Sequence, residues 1–159
     1  MNLKIYNDTL DSKIWNVENN TLKEEVKNSL YKIATDFYKN TDLKGDIKDV
    51  LFLGSVANYN YTPTSDIDLH VVIDISQEKI NPDYSRKFMD ALSVKWNTQH
   101  DIEIEGHPVE VYLQDILESN SNINTARQNS AIYSILNDKW IVEPNKTDIK
   151  IDGKKIVKK

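Results

Sequence analysis

The sequence predicts an α+β (mixed α/β) domain with a central mixed sheet and flanking helices. Three observations lead there: two stretches with apolar residues at helical spacing, a buried apolar run followed by an alternating strand, and two hairpin patterns. Its 159 residues fit one domain, read as spanning 1–159.

The first helix is expected over about 21–39. Thr21-Leu-Lys-Glu24 has the form of a capping box, and Leu22, Val26, Leu30, Ile33 and Phe37 follow at helical spacing. Asp49-Val-Leu-Phe-Leu-Gly54 is a short continuous apolar run ending in glycine, as a buried strand would be. From 66 to 74 the chain alternates. Ile67, Leu69, Val71 and Ile73 share one face, while Asp66, Asp68, His70, Val72 and Asp74 share the other. Asn81-Pro82 opens a second helix, with Tyr84, Phe88, Leu92 and Trp96 as its apolar stripe. Asp101–Glu105 and Pro108–Gln114 flank Gly106-His107 as a hairpin. A second hairpin, over about 131–143, joins Ile132–Leu136 to Trp140–Val142. His100 and His107 sit near turns and are expected to be exposed, whereas Trp96 and Trp140 are expected in the core.

Composition excludes several function classes. Cysteine is absent, which removes disulfide frameworks, thiolate zinc sites and cysteine nucleophiles. No apolar run reaches the ~18–20 residues of a membrane span, and the first residues lack a signal-peptide layout, so a cytoplasmic protein is expected. Net charge is −5, with no basic stripe of the kind that grips a long polyanion. The lysines at 150, 154, 155, 158 and 159 read as a solvated tail. P-loop, dinucleotide, zinc-protease and nucleophile-elbow motifs are all absent.

The chemistry is concentrated in Gly54-Ser55, a ten-residue loop, and Asp66-Ile67-Asp68 entering a strand. Period two puts both carboxylates on one face, where they can share hard cations. Oxygen ligands without cysteine favour Mg²⁺ over zinc. Two carboxylates on one strand, joined by a third from a neighbour, make the two-metal arrangement of phosphoryl transfer. Gly-Ser at the end of a strand exposes backbone N–H groups, and the serine adds a hydroxyl donor, where a phosphate can approach. His70 continues the carboxylate face, either as a structural histidine or as a substrate contact. Tyr59 and Tyr61 could stack on a base or anchor the loop. Asp74 lies roughly 20 Å along the strand from Asp68, too far for one cluster.

Leu53-Gly54-Ser55, the loop, and Ser65-Asp66-Ile67-Asp68-Leu69 resemble the signature of the DNA polymerase β-type nucleotidyltransferase superfamily, in particular its minimal single-domain members. The resemblance covers about residues 48–114. More narrowly, Asn58–Tyr61, Ser65–His70, Trp96-Asn97, Val109–Asp115 and Tyr133–Trp140 resemble a phage-encoded group, which would act in the cytoplasm of a bacterial host. The resemblance implies that Gly54, Ser55 and Ser65 bind the nucleotide and that Asp66 and Asp68 bind metal. Two Mg²⁺ ions are implied, with Mn²⁺ as a substitute. The third carboxylate should stand alone on a later strand, as Glu110 does between Val109 and Val111, and would also serve as base for the acceptor proton. Glu103 and Glu105 are the alternatives on the other hairpin arm.

The implied reaction moves a nucleoside monophosphate from an NTP to an acceptor hydroxyl with release of pyrophosphate. Small-molecule or protein acceptors are favoured over long nucleic acid. Many minimal members carry basic residues and a glycine after Gly-Ser, where this chain has Val56-Ala57-Asn58-Tyr59; Arg86 and Arg127 are its only arginines. The alternative functions are a catalytically silent nucleotide- and metal-binding module and an antitoxin-like interaction protein.

Overall fold

The computed structural model of the chain describes residues 6–118 and 130–146. Arg127 and the terminal lysine cluster lie outside them. Strand β1 (Trp15–Asn16) pairs with β2 (Thr21–Leu22), and helix α1 (Glu24–Thr41) follows directly. Then come β3 (Asp49–Leu53), β4 (Ile67–Ile73), α2 (Ser85–Gln99), β5 (Glu103–Ile104), β6 (His107–Asp115), β7 (Ile132–Ser134) and β8 (Lys139–Val142). Among the described residues the main sheet runs β5-β6-β4-β3-β7-β8. It is mixed: β4 and β6 are parallel, joined through α2, and the other pairs are antiparallel. The expected α+β class with a mixed central sheet is what forms.

Strand parity decides the layers. Ile67, Leu69, Val71 and Ile73 of β4 meet Val50 and Phe52 of β3, and Val109, Val111 and Leu113 of β6, in one core. Val26, Leu30, Ala34 and Phe37 of α1, with Met89 and Trp96 of α2, cover that same face. Phe37 and Trp96 join the helices edge to face at 5.6 Å. On the opposite face Leu51, Leu53, Val72 and Ile132 form a smaller cluster, and Asp68 and Glu110 lie on this side of the sheet by parity.

Three local expectations need correction. The capping box does not form. Thr21 and Leu22 pair as β2, the Thr21 hydroxyl bonds Asn19, and Lys23 precedes α1 without a side-chain cap. The β1–β2 ladder, which buries Leu22, outcompetes a cap of about 1 kcal/mol. Asn81 does cap, accepting from the Asp83 N–H, but it opens a short 3₁₀ turn at Pro82–Tyr84 that runs into α2. The buried stripe of α2 is therefore Met89, Ser93 and Trp96, with Phe88 and Leu92 beside it, and Tyr84 is exposed. Ser93 belongs inside because its hydroxyl serves β6: it donates to the Met89 carbonyl and accepts the Leu113 N–H. Asn97 makes two 2.9 Å bonds to the Val111 backbone, so α2 is stitched to the strand that carries Glu110.

The third correction is His107, which is only 1% exposed. It lies at the start of β6 on the parity of Val109, Val111 and Leu113, so strand alternation turns its ring inward. The turn before it uses two left-handed residues, Glu105 (φ 52°) and Gly106 (φ 85°), as a tight hairpin requires.

Candidate active site

Gly54 ends β3 in a conformation, φ 92° and ψ −177°, that is open essentially only to glycine. A Cβ placed there would sit 2.8 Å from Oδ2 of Asp68 and 3.6 Å from the Asp66 carbonyl oxygen. The missing side chain is thus the space that the Asp68 carboxylate occupies. Ser55–Ala57 then forms a 3₁₀ turn whose first internal bond runs from the Ala57 N–H to the Gly54 carbonyl. The N–H groups of Ser55 and Val56 precede that bond, which leaves them at the open start of the turn.

The parallel β4–β6 register sets Asp68 opposite Glu110, Ile67 opposite Val109, and His70 opposite Tyr112. Adjacent strands stand ~4.8 Å apart, so carboxylates in register can reach a common ion. Asp66 lies just before β4 and is exposed. Burial pushes the Glu110 carboxyl above the ordinary range, and the charges of Asp66 and Asp68 push it further in the same direction. The three acids therefore share one electrostatic environment. Glu103 is exposed on the edge strand opposite Pro108, and Glu105 is exposed in the turn.

Among the described residues no three His, Asp or Glu side chains are drawn together closely enough to hold a metal as they stand. In other respects the set suits a hard cation: its donors are all oxygen, they come from neighbouring strands, and Gly54 leaves room beside Asp68. Asp66, Asp68 and Glu110 are the residues that would hold Mg²⁺.

The remaining candidates are engaged in the loop or the sheet. Ser65 Oγ accepts the Thr62 N–H at 2.8 Å and meets the Thr62 hydroxyl at 2.9 Å, which closes the turn before Asp66. Tyr59 and Tyr61 are half-buried against the core and anchor the loop. His70 bonds Gln114 Oε1 through Nδ1, with its ring 5.4 Å from that of Tyr112. Val56 and Ala57, where many minimal members carry cations, are fully buried. Arg86 pairs with Asp90 and Glu118, beyond the far end of β6 from Glu110.

With this geometry goes a family match: the model of the nucleotidyltransferase domain matches residues 21–136. The chain belongs to that family. The polymerase β-type resemblance of its motifs agrees with the match. No curated protein matches the chain. Among solved structures it is similar to the STING-associated CdnE c-di-GMP synthase from Capnocytophaga granulosa, at 17% identity and a TM-score of 0.32. That similarity covers 76% of this chain and 42% of the synthase, so the chain spans less than half of that protein.

The raised Glu110 carboxyl yields a prediction with a definite sign. A carboxyl held higher in the folded state than in the unfolded state weakens folding when ionised, and that loss is recovered as pH falls through the raised value. Glu110→Gln should therefore raise Tm in metal-free buffer at pH 7–8 by roughly 1–3 °C. The gain should shrink as pH is lowered toward 4. An unchanged or lower Tm at neutral pH would mean that neither burial nor the neighbouring acids penalise the Glu110 carboxylate.

Sequence reasoning missed the contribution of the N-terminal segment. Asn7 Nδ2 donates to the Tyr59 and Tyr61 carbonyls at 2.8 and 2.9 Å. Trp15 Nε1 donates to the Val56 carbonyl at 2.8 Å. Residues 7–16 carry no motif, so only the parity of His107 within β6 hinted that a buried polar partner had to exist.

Proposed function

We propose that the protein is a Mg²⁺-dependent nucleotidyltransferase that moves a nucleoside monophosphate from an NTP to an acceptor hydroxyl. The observation that carries this reading is the β4–β6 register, which sets Glu110 opposite Asp68, while Gly54 packs against that same aspartate. Mg²⁺, or Mn²⁺ in its place, would neutralise charge on the phosphates and on the reacting oxygens.

The chain's own residues then have separable tasks. The Gly54-Ser55 turn offers backbone N–H groups and a hydroxyl to the triphosphate. Asp66 and Asp68 supply the oxygens that hold the cations. Glu110, opposite Asp68 in the β4–β6 register, would join them as a ligand and is placed to take the proton from the acceptor hydroxyl. The acceptor oxygen bonds to the α-phosphorus, the bridging bond to the β-phosphate breaks, and pyrophosphate departs with that electron pair. A small molecule or a protein hydroxyl is the favoured acceptor, because a net charge of −5 works against holding a long polyanion.

A second reading, a silent nucleotide- and metal-binding module, is favoured by the burial of Val56 and Ala57, which puts no cation immediately after Ser55. One experiment separates the two. The protein is incubated with Mg²⁺ or Mn²⁺ and each α-³²P-labelled NTP, alone and with bacterial lysate, beside Asp66→Asn/Asp68→Asn. Label transferred by the wild type should fall by at least ~10³-fold in the double variant, the scale of losing catalytic electrostatics. Thermal stabilisation by metal and NTP without transfer would establish the silent module instead.

A further inference from the structure

His107 is a buried titratable group that the proposed reaction does not use. Its Nε2 lies 2.6 Å from Oδ2 of Asp11, and its Nδ1 lies 2.7 Å from the carbonyl oxygen of Ser65. Asp11 is itself 7% exposed and is held in place, its other oxygen accepting the Lys13 N–H at 2.9 Å. The imidazole thus bridges an N-terminal carboxylate and the backbone one residue before Asp66. It does so from the strand that carries Glu110 three residues later. Such a bridge has the form of an outer-shell partner, which orients ligand-bearing backbone without touching the ion.

The bridge does not stand alone. Four carbonyls between Gly54 and Asp66 accept from side chains beyond the loop: Val56 from Trp15, Tyr59 and Tyr61 from Asn7, and Ser65 from His107. Asn7 also donates its backbone N–H to Tyr59 at 2.7 Å. Residues 7–15 therefore lie along the whole loop as a strap, fixed at both ends of the loop and in its middle. A long loop ordered only by its own residues would sample many conformations. This strap precedes residue 21, so it lies outside the stretch matched by the family model.

We propose that Asp11 and His107 are positioning residues of the active site. Together they close a strap, residues 7–15, that sets the position of Asp66 relative to Glu110 and keeps the Gly54–Asp66 loop in one form. The proposal rests on the nucleotidyl-transfer reading for its kinetic consequence, though not for the ordering of the loop.

The test uses the full chain with Asp11→Ala, Asp11→Asn and Asn7→Ala. Asparagine can donate its amide to Nε2 while Nδ1–H still reaches Ser65, so it preserves the chain of bonds that alanine breaks. Amide hydrogen exchange of residues 56–66 is measured with transfer kinetics at temperatures where every variant is folded. Asp11→Ala should lower kcat by about 10–100-fold with the KM for NTP changed less than about threefold, and Asp11→Asn should restore most of the rate. Exchange across 56–66 should quicken in Asp11→Ala and Asn7→Ala but stay near wild type in Asp11→Asn. If Asp11→Ala lowers only Tm, leaving exchange in the loop and kcat as in the wild type, the pair is merely structural and the proposal is overturned. Should wild type transfer no label, the proposed reaction fails separately, and the exchange data alone decide whether the strap orders the loop.

Discussion

Gly54→Ala is expected to lower kcat/KM for nucleotidyl transfer by about 100-fold or more and to destabilise the fold by ~1–3 kcal/mol. Two effects combine. The backbone at φ 92° and ψ −177° is strained for any residue with a Cβ. The new methyl would also lie 3.3 Å from Cγ of Asp68 and 2.8 Å from its Oδ2, the latter closer than real contacts allow, so the carboxylate or the strand must move. If Asp68 holds the cation as proposed, movement of its oxygen by even ~1 Å is enough for a rate loss of that size. A double-mutant cycle separates the two causes. In an Asp68→Ala background the clash is gone and only the backbone strain remains, so Gly54→Ala should be less destabilising there than in the wild type. Near-normal activity in Gly54→Ala would mean that the room the glycine leaves for Asp68 does not matter to the reaction.

Trp15→Ala should cost ~3–5 kcal/mol, the scale of removing a fully buried large aromatic. Total stabilities are only ~5–15 kcal/mol, so much of the protein should be unfolded at 37 °C. Trp15 is fully buried among three other aromatic residues, stacked on Trp140 at 4.7 Å and contacting Phe52 and Tyr133 at 5.1 Å each. Trp15→Phe keeps much of that packing and deletes the bond to the Val56 carbonyl, so it should cost less, ~1–3 kcal/mol. Urea denaturation of both variants checks the order. If Trp15→Ala shifts the midpoint no more than Trp15→Phe does, the indole is held by its hydrogen bond rather than by its packing.

These two residues differ in how readable they were. Gly54 stood in a motif, and its spacing to Asp66 and Asp68 was enough to select it. Trp15 stood in no pattern: its partners Phe52, Tyr133 and Trp140 are 37, 118 and 125 positions away along the chain. The two faces of β4 were legible for a local reason, since successive side chains in a strand point oppositely and the apolar set must face the core. The start of α1 was not. Its cap competed with a strand pairing that a capping rule does not weigh. The stripe of α2 was misplaced because Ser93 is buried for the sake of its hydrogen bonds to β6 and Met89.

By itself, the sequence determined the class of the fold, the Gly-Ser and Asp-x-Asp elements, and the family to which they belong. All of these are set by residue type at short spacing, where backbone geometry leaves few choices. Tertiary structure alone decided that Glu110, and not Glu103 or Glu105, stands opposite Asp68, because that depends on the register between two strands joined through a helix. It alone decided that His107 is buried against Asp11, 96 residues earlier, and that an N-terminal segment without a motif donates hydrogen bonds to the loop between Gly54 and Asp66. Contacts of this kind arise when distant segments pack, and local spacing carries no record of which distant group will meet which.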